Sequence, residues 1–197
     1  KELDVGSIRA LLEETYQDRH TFAPSWEDWK SAIKTKSPKL LILLPHHGEA
    51  SGGHTDFLEI GKPGEASGSR LRAGNLNEEF VTGRPDEPGP IVLLLGCETA
   101  QAGLLPFHTF ARDFLANRAS VVVATQSSVL GQHAAPVANE FIRQLLAASH
   151  AQTSFGRIMR DVRRRMFSAG YLMSLALVSF GDSDWQLEKG PRGDNHV

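Results

Sequence analysis

The sequence predicts an α/β layered fold built on a mostly parallel sheet. Three segments, "KLLILLP" (39–45), "PIVLLLG" (90–96) and "ASVVVAT" (119–125), are continuous apolar runs of strand length. Uninterrupted apolarity is what a parallel strand needs when helices cover both of its faces. Between and around these runs lie segments whose apolar residues recur at helical spacing, which is the alternation expected of such a fold. Ligand sites in open sheets of this kind lie beyond the carboxyl ends of the strands.

The elements follow in order. "VGSIRALLEETY" (5–16) puts Ile8, Leu11, Leu12 and Tyr16 on one helical face with Glu13 and Glu14 outward. In "SWEDWKSAIKTK" (25–36), Ser25 is placed to cap a helix and Glu27 and Asp28 suit its positive end. Trp26, Trp29 and Ile33 form its apolar stripe. "KLLILLP" is the next strand, stopped by its proline, and "PIVLLLG" is a central strand. Between them, "TDFLEIG" (55–61) and "SRLRAG" (69–74) are expected to pair as a hairpin in a surface insertion, across the turn "KPGEASG". "FHTFARDFLANR" (107–118) reads as a helix, then "ASVVVAT" as a buried strand. "AAPVANEFIRQLLAAS" (134–149) reads as a helix whose start is set by Pro136, and "SFGRIMRDVRRRMF" (154–167) as another. "YLMSLALVSFG" (171–181) returns to strand. The basic run "RDVRRRM" (160–166) is read as the solvated face of its helix.

Composition narrows the function. The 197 residues suit one domain with a real core. With 41% hydrophobic and 22% charged residues and a formal net charge of -2, neither disorder nor a polyanion-binding surface is favoured, so nucleic acid is not expected as a direct partner. A single cysteine, Cys97, excludes an internal disulfide. No apolar run approaches the roughly 20 residues of a membrane span, and no signal sequence opens the chain, so a cytoplasmic location without a membrane partner is expected. The chain begins at Lys1 and enters a helical pattern at once, which suggests part of a longer protein with a further region upstream.

Two strand ends carry the chemistry. The first apolar run ends in "PHHGEASGGH" (45–54) and the second in "GCETAQAG" (96–103). In a parallel sheet, His47 and Cys97 would be presented together at one edge. An imidazole beside a thiol can draw off its proton and later protonate a leaving amine, so the two form a nucleophile and its base. Gly48 permits close approach of backbone to a substrate carbonyl, and the N–H groups of Gly48 and Cys97 could form an oxyanion hole. The separation from His47 to Cys97 is 50 residues.

"LLPHHGE", "IVLLLGCETAQAG", "ASVVVATQSSV", "FIRQLL" and "LALVSFGD" together resemble the successive blocks of a CHAT domain, in the caspase and separase group of cysteine peptidases. The resemblance spans nearly all of residues 1–197, with "HG" and "CETA" its most specific blocks. It implies a caspase-like three-layer α/β/α sandwich, with the first strand of that fold lying before Lys1. It implies His47 and Cys97 as the catalytic dyad, peptide-bond hydrolysis through a thioester, a protein substrate and no cofactor. It further implies regulation by a fused sensor region or partner, in some relatives in bacterial defence, with weak activity in the isolated chain. Many relatives carry a Trp-Pro or Trp-Asp pair where this chain has Gln126, Ser127 and Ser128, and in separases an acid there selects a basic residue before the cut. A pocket lined by Ser127 and Ser128 is therefore expected to prefer a neutral residue, unless Asp56, Glu98 or Asp182 reaches in.

Other functions are open to the same residues. His46, His47, His54 and Glu49 could bind a metal as a hydrolase site, although adjacent strand residues point apart. Glu98 and Thr99 could support the turn after Cys97 rather than touch substrate. Asp56 could orient His47, and Asp182 and Asp184 are turn formers by default. The glycine-rich segments lack the lysine spacing of a phosphate loop. A catalytically silent binding or scaffold module on the same fold is the remaining class.

Overall fold

A computed structural model describes residues 5–16, 19–49, 56–60, 70–72, 74–96, 110–126, 131–149 and 153–186. The helices are α1 (Val5–Tyr16), α2 (Trp26–Lys36), α3 (Phe110–Ala116), α4 (Gly131–Ser149) and α5 (Phe155–Ser168). The strands are β1 (Leu40–Leu43), β2 (His46–Glu49), β3 (Asp56–Glu59), β4 (Arg70–Arg72), β5 (Ile91–Leu94), β6 (Val121–Thr125) and β7 (Leu177–Gly181). A four-stranded sheet runs in the order β1-β5-β6-β7, with β1, β5 and β6 parallel and β7 antiparallel to β6. A second, antiparallel sheet has the order β2-β3-β4.

Strand residues divide alternately between two cores, which makes the molecule three-layered. Ile91, Leu93, Val121, Val123 and Leu177 face Ile8 of α1 and the apolar stripes of α4 and α5. Val92, Leu94, Val122 and Ala124 face Trp26 and Ile33 of α2, Phe110 and Phe114 of α3, and Leu58 and Leu71 of the small sheet. Each residue of β5 and β6 is buried, as their unbroken apolarity requires. In β1, at the sheet edge among the described residues, Leu41 and Leu43 are buried whereas Leu40 and Ile42 are half-buried.

Local signals hold where chemistry is explicit. Ser25 caps α2, its Oγ accepting from the Asp28 N–H at 3.2 Å. β3 and β4 pair as the expected hairpin, in the register Phe57↔Arg72 and Leu58↔Leu71. Three expectations need correction. Residues 46–49 are not merely the end of the first strand. Pro45 lacks a ladder N–H, and the chain beyond it becomes extended again as a third strand on the hairpin. Helix α4 begins at Gly131, not at Pro136, because burial of Ala134, Ala135, Val137 and Ala138 carries the helix through the proline. "YLMSLALVSFG" is half helical: Leu172–Ala176 forms a 3₁₀ helix before β7. β1, though an edge strand among the described residues, is covered on both faces as expected: Leu41 and Leu43 lie in one core, and Leu40 and Ile42 pack against the other.

The amino edge of the parallel strands is tied down by a loop. The Lys39 ammonium, 2.5 Å from Glu87, and the Arg84 guanidinium, at 2.8 Å, hold the Glu87 carboxyl down at about 2. The Ser120 hydroxyl donates to the Gly89 carbonyl at 2.8 Å. These contacts leave the opposite, carboxyl edge for the candidate site.

Candidate functional site

The two chain segments singled out by sequence leave the sheet side by side. Leu43, the last residue of β1, pairs with Leu94, the last of β5. The Leu95 N–H then donates to the Leu43 carbonyl at 3.0 Å, extending the ladder one residue past the end of β5. Parallel neighbours lie about 4.8 Å apart, so the backbone leaving β1 towards Pro45 starts next to the backbone leaving β5 towards Gly96. Leu95, Gly96 and Pro45 are buried, which fixes the base from which both segments depart.

A third segment converges there. β6 is parallel to β5 and ends at Thr125, which is fully buried and donates its hydroxyl to the Gly96 carbonyl. The residue before Cys97 is thus fastened to the end of the strand that leads to Gln126. The Gln126 N–H donates in turn to the Ala176 carbonyl at 2.9 Å, linking β6 to the 3₁₀ helix before β7. Sequence reasoning missed Thr125. Its signal was a lone hydroxyl closing the apolar run "VVVAT", a buried donor that had to find an acceptor.

β2 is held by cross-strand register. His46 lies opposite Glu59, His47 opposite Leu58, Gly48 opposite Phe57 and Glu49 opposite Asp56. Leu58 is fully buried in the core beneath the small sheet. Glu59, 5% exposed, pairs through Oε1 with Arg70 Nε at 3.1 Å, and the Arg70 guanidinium sits 4.4 Å from the centroid of the Phe57 ring. The small sheet therefore holds a buried carboxylate with its countercharge beside it, on the strand next to the one that carries His46 and His47. Sequence reasoning passed over this pair as ordinary hairpin residues.

The sequence-predicted residues fall into three groups. His47 and Gly48 lie on β2, which follows β1 in the chain after Leu44 and Pro45 but belongs to the small sheet. Asp56 lies on β3 opposite Glu49, on the register diagonal from His47. The expectations for Cys97, Glu98, Thr99, Ser127, Ser128 and His54 lie outside the described residues. Asp182 is removed from the pocket by topology. It follows Gly181, which pairs with Val121 at the start of β6, whereas the site edge is at Thr125. Asp182 makes a turn there, its Oδ1 accepting from the Asp184 N–H at 2.8 Å. Among the described residues, no helix is long and apolar enough to cross a membrane, and no cluster of three metal-ligating side chains occurs.

No protein-family model matches this chain. No curated protein matches it either.

Proposed function

We propose that the chain is a cysteine endopeptidase of the CHAT type, with Cys97 as nucleophile and His47 as general base and acid. One observation carries the reading: β1 and β5 are adjacent and parallel, so the segments leading to His47 and Cys97 depart from the same sheet edge. In the proposed reaction the imidazole takes the thiol proton and the thiolate sulfur attacks the scissile carbonyl carbon. The N–H groups of Gly48 and Cys97 receive the developing oxyanion. As the C–N bond breaks, the imidazolium gives its proton to the leaving amine, and a thioester remains on Cys97. Water activated by the same imidazole then adds to the thioester, releasing the acid and restoring the thiol.

Cys97 is the chain's only cysteine, so alkylation can be followed by intact mass without knowing the substrate. At about pH 6.5 an ordinary thiol is almost wholly protonated and labels slowly with iodoacetamide, whereas a thiol paired with an imidazole labels fast. The wild-type protein should react at least about tenfold faster than its His47→Ala variant, with His46→Ala within about twofold of wild type. Equal rates for wild type and His47→Ala would sink the dyad. Loss of reactivity in His46→Ala alone would move the base by one residue.

The specificity follows from charge. A pocket lined by Ser127 and Ser128 cannot offset the desolvation of a buried arginine or lysine, which costs on the order of several kcal/mol. Cleavage after uncharged residues is expected when cut sites are mapped by mass spectrometry, in a partner protein or in a mixture of proteome-derived peptides. Cuts confined to arginine or lysine would reject the neutral pocket and point to Asp56 or Glu98 as its acid.

A further inference from the structure

Among the described residues, four large apolar side chains are strongly exposed, and three of them are gathered in nine residues: Phe167 at 51%, Leu172 at 67% and Leu175 at 64%. Leu172 and Leu175 belong to the 3₁₀ helix, in which residues three apart eclipse, so they form one face. That helix packs back on α5. The Tyr171 N–H donates to the Met166 carbonyl at 2.9 Å, and Arg163 donates through its guanidinium to the Leu177 carbonyl at 2.5 Å. Phe167 lies on the same α5 stripe as Arg160, Arg163 and Arg164, at helical spacing. The helix carries five arginines against one aspartate. Arg160 pairs with Asp161 and Arg165 with Glu140, whereas Arg157 and Arg164 are exposed and have no ion-pair partner among the described residues. The basic run is a solvated face, as expected, and the exposed Phe167 continues its stripe at helical spacing.

We propose that this patch is a docking surface for an acidic, amphipathic segment of a partner protein, its apolar residues covering Phe167, Leu172 and Leu175 and its carboxylates meeting Arg164 and, in exchange for the weak exposed pair with Asp161, Arg160. Arginine and exposed aromatic or aliphatic anchors are the chemistry of protein interfaces, and the guanidinium fork suits carboxylates. A lipid surface fits less well. The main apolar stripe of α5, with Phe155, Ile158, Met159, Val162 and Met166, is already buried in the core, leaving only three side chains to insert. Single-stranded RNA fits less well again, because two of the three apolar groups are leucines and offer no stacking platform. The patch borders the carboxyl edge, since Ala176 receives the Gln126 N–H and Leu177 pairs with Thr125. The surface stands independently of the peptidase reading.

The test uses a fluorescein-labelled synthetic helical peptide with leucine and phenylalanine at i, i+3, i+4 and i+7 and glutamate elsewhere, against a copy with lysine for glutamate. Binding is read by anisotropy on the full chain carrying Cys97→Ala, so that cleavage plays no part. The acidic peptide should bind and the lysine copy should not. Leu172→Ser/Leu175→Ser and Arg160→Ala/Arg164→Ala should each weaken binding by about tenfold or more, the second also flattening the salt dependence. No binding of the acidic peptide, equal binding of the lysine copy, or undiminished binding by either double variant would overturn the proposal. So would Leu172- and Leu175-dependent binding to phosphatidylserine/phosphatidylcholine vesicles or to single-stranded RNA in place of the peptide.

Discussion

At the scale of single residues, Thr125 has the clearest part in shaping the candidate site. Its hydroxyl donates to the Gly96 carbonyl at the step before Cys97, and both residues are buried. Thr125→Val keeps the shape and removes this donor from a buried carbonyl. The expected loss is about 1–3 kcal/mol, read as a lower urea midpoint, with Thr125→Ser closer to wild type. A midpoint unchanged in the valine variant would show that the hydroxyl is not needed there. Little of this was legible in the sequence, because a threonine at a strand end does not name its acceptor. By contrast His47 and Cys97 stood out as reactive types after apolar runs, and the strands that precede them, β1 and β5, are neighbours.

At the scale of elements, legibility followed the range of the cause. α2 was readable from Ser25 to Lys36 because its signals are local: the cap, Glu27 and Asp28 in the first turn, Lys34 and Lys36 in the last. Ser25→Ala should cost about 1 kcal/mol by urea denaturation, since the first turn loses an acceptor for the Asp28 N–H. An unchanged midpoint would mean that water or another group satisfies that donor equally well. α4 was misread at its start for the opposite reason. A proline is a local stop signal, but Ala134 and Ala135 before it are packed beneath the sheet, and that burial is a tertiary term. β2 was likewise unreadable as a strand, because its partner, β3, is supplied by the hairpin that follows it.

At the scale of the whole molecule, the parallel strands are locked at the amino edge and carry the candidate chemistry at the other. A Cβ added to Gly89 would stand 1.6 Å from the Arg118 carbonyl oxygen, backbone against backbone, where the loop before β5 crosses the turn before β6. That crossing is braced by Arg118, which pairs with Glu78 at 2.9 Å and donates to the Pro85 carbonyl at 2.6 Å. Gly89→Ala should therefore destabilise the protein by about 3 kcal/mol or more and lower the thermal midpoint by several degrees. A variant as stable as wild type would show that the loop can move aside and that the crossing does not set the approach of β5 to β6.

The sequence by itself determined the layered α/β class, since unbroken apolar runs of strand length have no other economical use than burial between helices. It also determined that reactive side chains follow two of those runs. Only the tertiary structure decided that β1 and β5 are immediate neighbours, that the last strand runs antiparallel, and that Asp182 falls at the far edge from the site. The physical reason is that strand order and direction are set by which apolar faces pack best across the whole core. A run such as "IVLLL" declares that it will be buried, but it carries no mark of which strand it will lie beside.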